Sequence, residues 1–177
     1  MNISKFTQKS MEAVQNCEKL AYEFGNQEID QEHLLKSLID QEDGLILKLI
    51  EKMEINTAHF SNRVTEDLNK KVKVQGGDLR ISNDLNKVLI TAEDEAKAMG
   101  DEYVSVEHLF LSLLKYPNKA MKELFKEYGI TRDRFLTALS TVRGNQRVTS
   151  DNPEATYDTL QKYGTDLVEK ARSQKLD

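Results

Sequence analysis

Cysteine is almost missing from this chain of 177 residues: Cys17 stands alone, so no internal disulfide can form, which fits a reducing compartment. No apolar run approaches the roughly 20 residues that span a bilayer, and residues 1–6 lack the apolar stretch of a secretion signal. A cytoplasmic protein with no membrane partner is expected. Basic runs interleaved with aromatics are absent, and the net charge of −5 argues against a broad nucleic-acid surface. Neither Gly-x-x-x-x-Gly-Lys-Ser/Thr nor Gly-x-Gly-x-x-Gly occurs, so no phosphate cradle is expected. His33, His59, His108 and Cys17 have no zinc-site spacing, and no nucleophile has a base at a recognisable distance along the chain. Neither catalysis nor a cofactor or metal is therefore expected of these residues.

What is present is said twice. A shift of 75 residues lays Gly25, Ile29, Glu32, His33, Leu34, Ser37 and Leu38 on Gly100, Val104, Glu107, His108, Leu109, Ser112 and Leu113, with no gap. The register continues from Ala21 on Ala96 through Leu49 on Leu124 and Ile55 on Ile130 to Phe60 on Phe135. Apolar exchanges such as Val14 with Leu89 keep it. A match this long is an internal duplication, and it sets the architecture.

Every strong periodicity is helical. Met11, Ala13, Val14, Cys17, Leu20, Ala21 and Phe24 recur at steps of mostly three and four, predicting a helix over about 7–23 with Thr7 as N-cap and Gly25 as its stop. Ser82 and Gly100 bracket its counterpart. A short helix follows in each repeat, opened by Asp30 or Ser105, with Glu32 or Glu107 in the first turn where the helix dipole favours negative charge. Third helices are expected over 45–52 and 119–128, and fourth helices over about 56–72 and 131–143. The fold class is thus all-α: a pseudo-twofold bundle of two four-helix repeats, about 7–72 and 82–143, within a domain of residues 1–143. Residues 73–81, with Gly76 and Gly77, read as a mobile connector. The polar stretch 144–151, within a boundary region of 144–152, reads as a flexible linker that lets the domain swing. Asn152 and Pro153 are an N-cap and first helical residue for a last helix reaching about Ala171, in a leading segment of 153–177.

Two features admit two readings. The pairs Glu32–His33 and Glu107–His108 are either symmetric acid/base pairs or, the stronger reading, a helix-start glutamate beside a half-buried, hydrogen-bonding histidine. Thr7 is an N-cap first and a contact residue second. Cys17, on an apolar helix face, reads as a small core residue.

Phe6 and Thr7 opening a helix, followed by the duplicated Gly-x-x-x-Ile/Val-Asp/Ser-x-Glu-His-Leu unit, resemble the Clp N-terminal domain over about residues 4–143. The segment from Tyr157 to Asp177 resembles the approach to the first AAA+ module of Clp ATPases. Within the family, Asn152-Pro-Glu-x-x-Tyr157 and the Gly76-Gly77-Asp78 connector favour the ClpB type. That resemblance implies a recognition domain that binds unfolded or aggregated polypeptide for threading through a homohexamer. The alternative is an adaptor-docking domain of the ClpC/ClpA type. It also implies that ATP and magnesium act elsewhere in the full-length protein, and that the fragment is monomeric. The family pattern puts Thr7, Asp101 and Glu107 near the substrate surface. Tyr103 is expected to join them along a shallow apolar groove at the seam of the two repeats. His108 gets no role, because the family often has another residue there.

Overall fold

The structure is a computed structural model describing residues 3–154 and Tyr157. After a 3₁₀ turn at Ile3–Lys5, repeat one contains α1 (Gln8–Glu23), β1 (Glu28–Ile29), α2 (Gln31–Ile39), α3 (Leu45–Lys52) and α4 (Thr57–Asn69). Repeat two contains β2 (Arg80–Ile81), α5 (Asn83–Ala98), α6 (Val106–Lys115), α7 (Lys119–Tyr128) and α8 (Arg132–Arg143). The fold is all-α with four helices per repeat, as the periodicity predicts; α4 stops at Asn69, short of the expected Val72.

Side-chain chemistry sets the helix ends. Thr7, Ser82, Asn56, Asn118 and Thr131 each accept a first-turn N–H, closing orphan donors that helix geometry cannot satisfy. Gly25 and Gly100 adopt φ of +69° and +72°. Beyond them the N–H groups of Asn26 and Asp101 reach back to the carbonyls of Ala21 and Ala96, the six-to-one bond of a glycine stop. Only glycine takes this backbone without strain.

The pairs α1–α2 and α5–α6 pack closely, and α3 crosses to α6 and α8, so the repeats share one core. Phe110 stacks on Phe135 with centroids 4.5 Å apart and meets Phe125 edge-on. The hydroxyls of Ser37 and Ser112 pin α2 to the Ala13 carbonyl (2.6 Å) and α6 to the Val88 carbonyl (2.7 Å), the same link made twice.

Two short parallel pairings were not foreseen. Ile29 pairs with Ile81, and at the equivalent place Val104 bridges Phe6. The incoming chain of each first helix is thereby clipped to the other repeat. This corrects the expectation of a mobile connector at 73–81: Val74 donates to the Gly25 carbonyl, Arg80 to Gln27 and Ser82 to Ile29.

The stretch read as a flexible linker is also seated on the bundle. Val148 is fully buried, its carbonyl accepts from Glu102 N (2.8 Å), and the Asp151 carbonyl accepts from Gln8 N (2.7 Å). The reason is a single apolar residue, Val148, buried in the core beside the loop of Asp101 and Glu102 and hidden in an otherwise polar run. The expected last helix lies outside the described residues apart from Pro153, Glu154 and Tyr157. No helix among the described residues is long and apolar enough to cross a membrane.

Candidate functional site

Three of the four residues expected at the substrate surface do come together, but they are covered. Thr7 and Glu107 are fully buried and Asp101 nearly so, while Tyr103 is half-buried with Lys5 Nζ 5.8 Å from its ring centre. The cause is a cation that repeat reasoning did not flag. Arg143, at the end of α8, pairs with Asp101 and reaches Glu107 at 3.4 Å. It leaves both acids no exposed surface. Burial raises the Asp101 carboxyl, but His108, Arg143 and the Val148 N–H more than offset this and hold it below the ordinary range.

Both histidines resolve in favour of structure. Asp30 N and Ser105 N each donate to Nδ1 of the histidine three residues on, both at 2.9 Å. An Nδ1 that accepts leaves the ring proton on Nε2. That proton goes to Asn26 Oδ1 (2.9 Å) in repeat one and to Asp101 Oδ2 (2.7 Å) in repeat two. Burial and then the Lys71 charge push His33 down to about 4, so it is neutral near pH 7. Histidine thus performs the back-reaching part of a capping box that glutamate or glutamine more often supplies. The sequence signal was Asp/Ser-x-x-His.

Thr7 is an N-cap as expected, and its hydroxyl has a further partner that was not foreseen. Its Oγ1 accepts from Ser10 N (3.2 Å) as an N-cap and donates to Glu154 Oε2 (2.7 Å), whose carboxylate also accepts from Val106 N (3.2 Å). Arg143, Val148 and Glu154 were missed. Arg143 had a signal: in the 75-residue register it falls on Leu68, and Asp101 falls on Asn26, so an acid and a base appear together.

The open apolar feature lies elsewhere, at the seam between the two first helices. A groove of about 210 Å³ is lined by Val14, Cys17 and Glu18 of α1, Leu85 and Leu89 of α5, and the Ile29–Ile81 pair. Val14 and Leu89 are partners in the register, so the groove sits on the pseudo-twofold axis. Ile81 is 49% exposed, while Gln15 and Glu18 add polar groups to the lining. Burial pushes the Cys17 thiol up to about 12, so it is a lining group and not a nucleophile. Val14 lies seven residues beyond Thr7, roughly 10 Å along α1. The groove and the buried cluster are separate places. Among the described residues, no group of three or more His, Cys, Asp or Glu could hold a metal ion.

Known proteins resemble this chain in sequence and in fold. Residues 5–128 match the family described as the Clp repeat (R) N-terminal domain. The chain aligns over its whole length with the chaperone protein ClpB of Nitratidesulfovibrio vulgaris at 45% identity, and with that of Bacillus anthracis at 39%. It spans 21% of the length of each. The crystal structure of the Hsp104 N-terminal domain from Candida albicans superposes with a TM-score of 0.74 at 26% identity, covering 85% of this chain and 99% of that one. A ClpV N-domain in complex with a VipB peptide shares the fold, with a TM-score of 0.62 at 19% identity over 86% of this chain and 91% of that one.

Proposed function

Because the chain belongs to the Clp repeat N-terminal domain family, and its relatives over the whole length carry the name ClpB, we propose that it is the polypeptide-recognition domain of a ClpB-type disaggregase. In this reading it captures exposed apolar segments of unfolded or aggregated chains in the cytoplasm. It then passes them to ATPase modules of a hexamer that lie outside this chain. The observation that carries the reading is the seam groove. It has an apolar lining from both repeats, stays open in the closed bundle, and has Gln15 and Glu18 as polar partners.

Such a groove suits a ligand defined by composition and not by sequence. Apolar side chains of an extended segment gain burial worth about 25 cal/mol per Å², and a single acid in the lining, Glu18, selects sequence only loosely. A groove this small binds weakly, since the ligand also loses chain entropy on ordering. Several copies on one ring would raise the avidity without new contacts. The ClpV domain that binds a peptide has the same fold, which is compatible with peptide capture but does not place the ligand here. The adaptor-docking alternative has less support, because the matched relatives are ClpB proteins.

Thr7, Asp101 and Glu107 keep a part in this proposal as the residues that fix how α1 enters the bundle and hold the loop before α6. Tyr103, the least covered of the four, is the one that can touch a ligand directly. The test is an NMR titration of the labelled chain with a permanently unfolded, apolar-rich polypeptide. Shifts should cluster at Val14, Cys17, Ile81 and Leu89, and Ile81→Ser should weaken binding several-fold with an unchanged helical melt. Shifts confined to Tyr103 and its neighbours, with none at the seam, would sink the groove assignment.

A further inference from the structure

We propose that residues 146–154 form a releasable strap. In this structure they close a main-chain cleft between the start of α1 and the start of α6, and their release bares that cleft and lengthens the tether leaving the domain. The reading goes beyond polypeptide capture at the seam and does not depend on it.

The strap is bound as a ligand would be. Its main chain pairs at two places with the bundle, the Val148 carbonyl with Glu102 N and the Asp151 carbonyl with Gln8 N. Val148 N donates to Asp101 Oδ1 (3.0 Å), and Arg143 Nε holds the Gln146 carbonyl (2.9 Å). One apolar side chain, Val148, fills a seat completely. One acid, Glu154, joins the two repeats: it accepts from Thr7 at the N-cap of α1 and from the first N–H of α6. Two helix N-termini therefore face one carboxyl group. Release would leave three main-chain donors, those of Gln8, Glu102 and Val106, without these partners. Tyr157, buried with the Arg143 guanidinium 6.0 Å from its ring centre, must let go with the strap, and the nine freed residues then add roughly 30 Å of extended reach.

The fastening has a built-in weakness at Glu154. Glu107 of α6 is the charge that acts on it most, and Tyr157 of its own segment links it to Arg143 of α8 and Asp101 of the loop before α6; at the start of α1 its partner is the neutral hydroxyl of Thr7. Arg143 is already committed to Asp101 and Glu107. Glu154 Oε1 and Tyr157 Oη are buried with no hydrogen-bond partner among the described residues. Burial and then the Glu107 charge push the Glu154 carboxyl up to about 7 from its ordinary 4.5. The closed strap therefore prefers the protonated acid, and the open one releases the proton first. Closure is strongest below about pH 4.5, weakens as pH rises towards 7, and levels off above. The whole change is on the order of a hundredfold in the closed-to-open ratio.

The test is amide hydrogen exchange of the intact chain from pH 5 to 8, with each rate divided by its free-chain value. Protection at Glu102 and Val148 should fall together by tenfold or more across that range. Glu154→Gln, which keeps the shape and removes the ionisation, should flatten the profile. Val148→Asp should remove protection at Glu102 at every pH while Leu34 in α2 keeps its own. If Val148→Asp unfolds the bundle, Glu154→Gln carries the test. Free-chain exchange of Glu102 and Val148 at pH 5, or an unchanged pH slope in Glu154→Gln, would overturn the proposal.

Discussion

The two repeats bury the same charges in different hands. In repeat one, Asp30 and Glu32 share Lys71, at 3.2 and 2.8 Å. In repeat two, Asp101 and Glu107 share Arg143. Only Glu32 and Glu107 are partners in the register. Asp30 corresponds to Ser105, Asp101 to Asn26, and Arg143 to Leu68. Each site thus holds two acids and one base, reached by different substitutions on one scaffold. What differs is access. Lys71 keeps 22% of its side chain exposed and Arg143 only 2%. In both repeats the chain that leaves the fourth helix lies across its own site. In repeat one that chain is held at both ends, because it continues into α5; in repeat two it is held by Val148, Asp151, Glu154 and the buried Tyr157. Glu154, which falls on Leu79 in the register, has no counterpart in repeat one, and the strap proposal rests on that difference.

The comparison breaks most visibly at Arg143. Arg143→Met leaves Asp101 and Glu107 buried with no cation, and should cost about 3–5 kcal/mol in urea unfolding followed by circular dichroism. Adding Asp101→Asn to Arg143→Leu restores the pair that repeat one carries, Asn26 and Leu68. The double variant should be more stable than Arg143→Leu alone by at least about 1 kcal/mol. If it is not, the acid and the base are not coupled and the register argument fails.

Acid should separate the repeats next. The folded pKa of His33 is depressed, from 6.5 to about 4. Below 6.5 the unfolded chain takes a proton that the folded one refuses. Stability is therefore fully present above about pH 6.5 and is lost as pH falls towards 4, by on the order of 3 kcal/mol. Glu154 has the opposite sign, since its raised pKa weakens the strap as pH rises. His33→Gln should flatten the stability profile between pH 4 and 6.5 and leave the exchange profile of Glu102 untouched. A smaller effect follows at Lys71. Lys71→Met should cost about 1–2 kcal/mol, less than Arg143→Met, because water can still reach Asp30 and Glu32. Equal losses from the two variants would mean that access to solvent does not set the difference.

Much of the fold was legible because it rests on local chemistry. Helix periodicity, the caps at Thr7 and Ser82, and the stops at Gly25 and Gly100 all act within a few residues, and the 75-residue register supplied the architecture. The pairing of Ile29 with Ile81 was not legible, because two residues carry no period. Thr7, Asp101 and Glu107 lie near one another, but their burial depends on Arg143 and Glu154, 42 and 147 positions away from their partners Asp101 and Thr7. Composition gave no sign at residues 144–151 of the seat that one valine among polar residues takes. The register held the missing hint, since Val148 aligns with Lys73, in the stretch that crosses repeat one.

The finest distinction concerns the two serines that the repeats keep. Ser37 and Ser112 are buried, and each donates to a carbonyl inside a first helix. Such a carbonyl retains its own i+4 helix bond, so neither Ser37→Ala nor Ser112→Ala orphans a buried acceptor. Ser112 has a further contact, Thr91 Oγ1 at 2.6 Å, but Thr91 also bonds the Lys87 carbonyl at 2.7 Å and keeps a partner when Ser112 is removed. Each change should cost about 1 kcal/mol, near the mean for a hydrogen bond whose loss leaves nothing unsatisfied. The two midpoints in urea should agree closely. A difference of more than about 1 kcal/mol would show that Thr91 makes the second repeat's link a cooperative one, and that the repeats have diverged even where their residues have not.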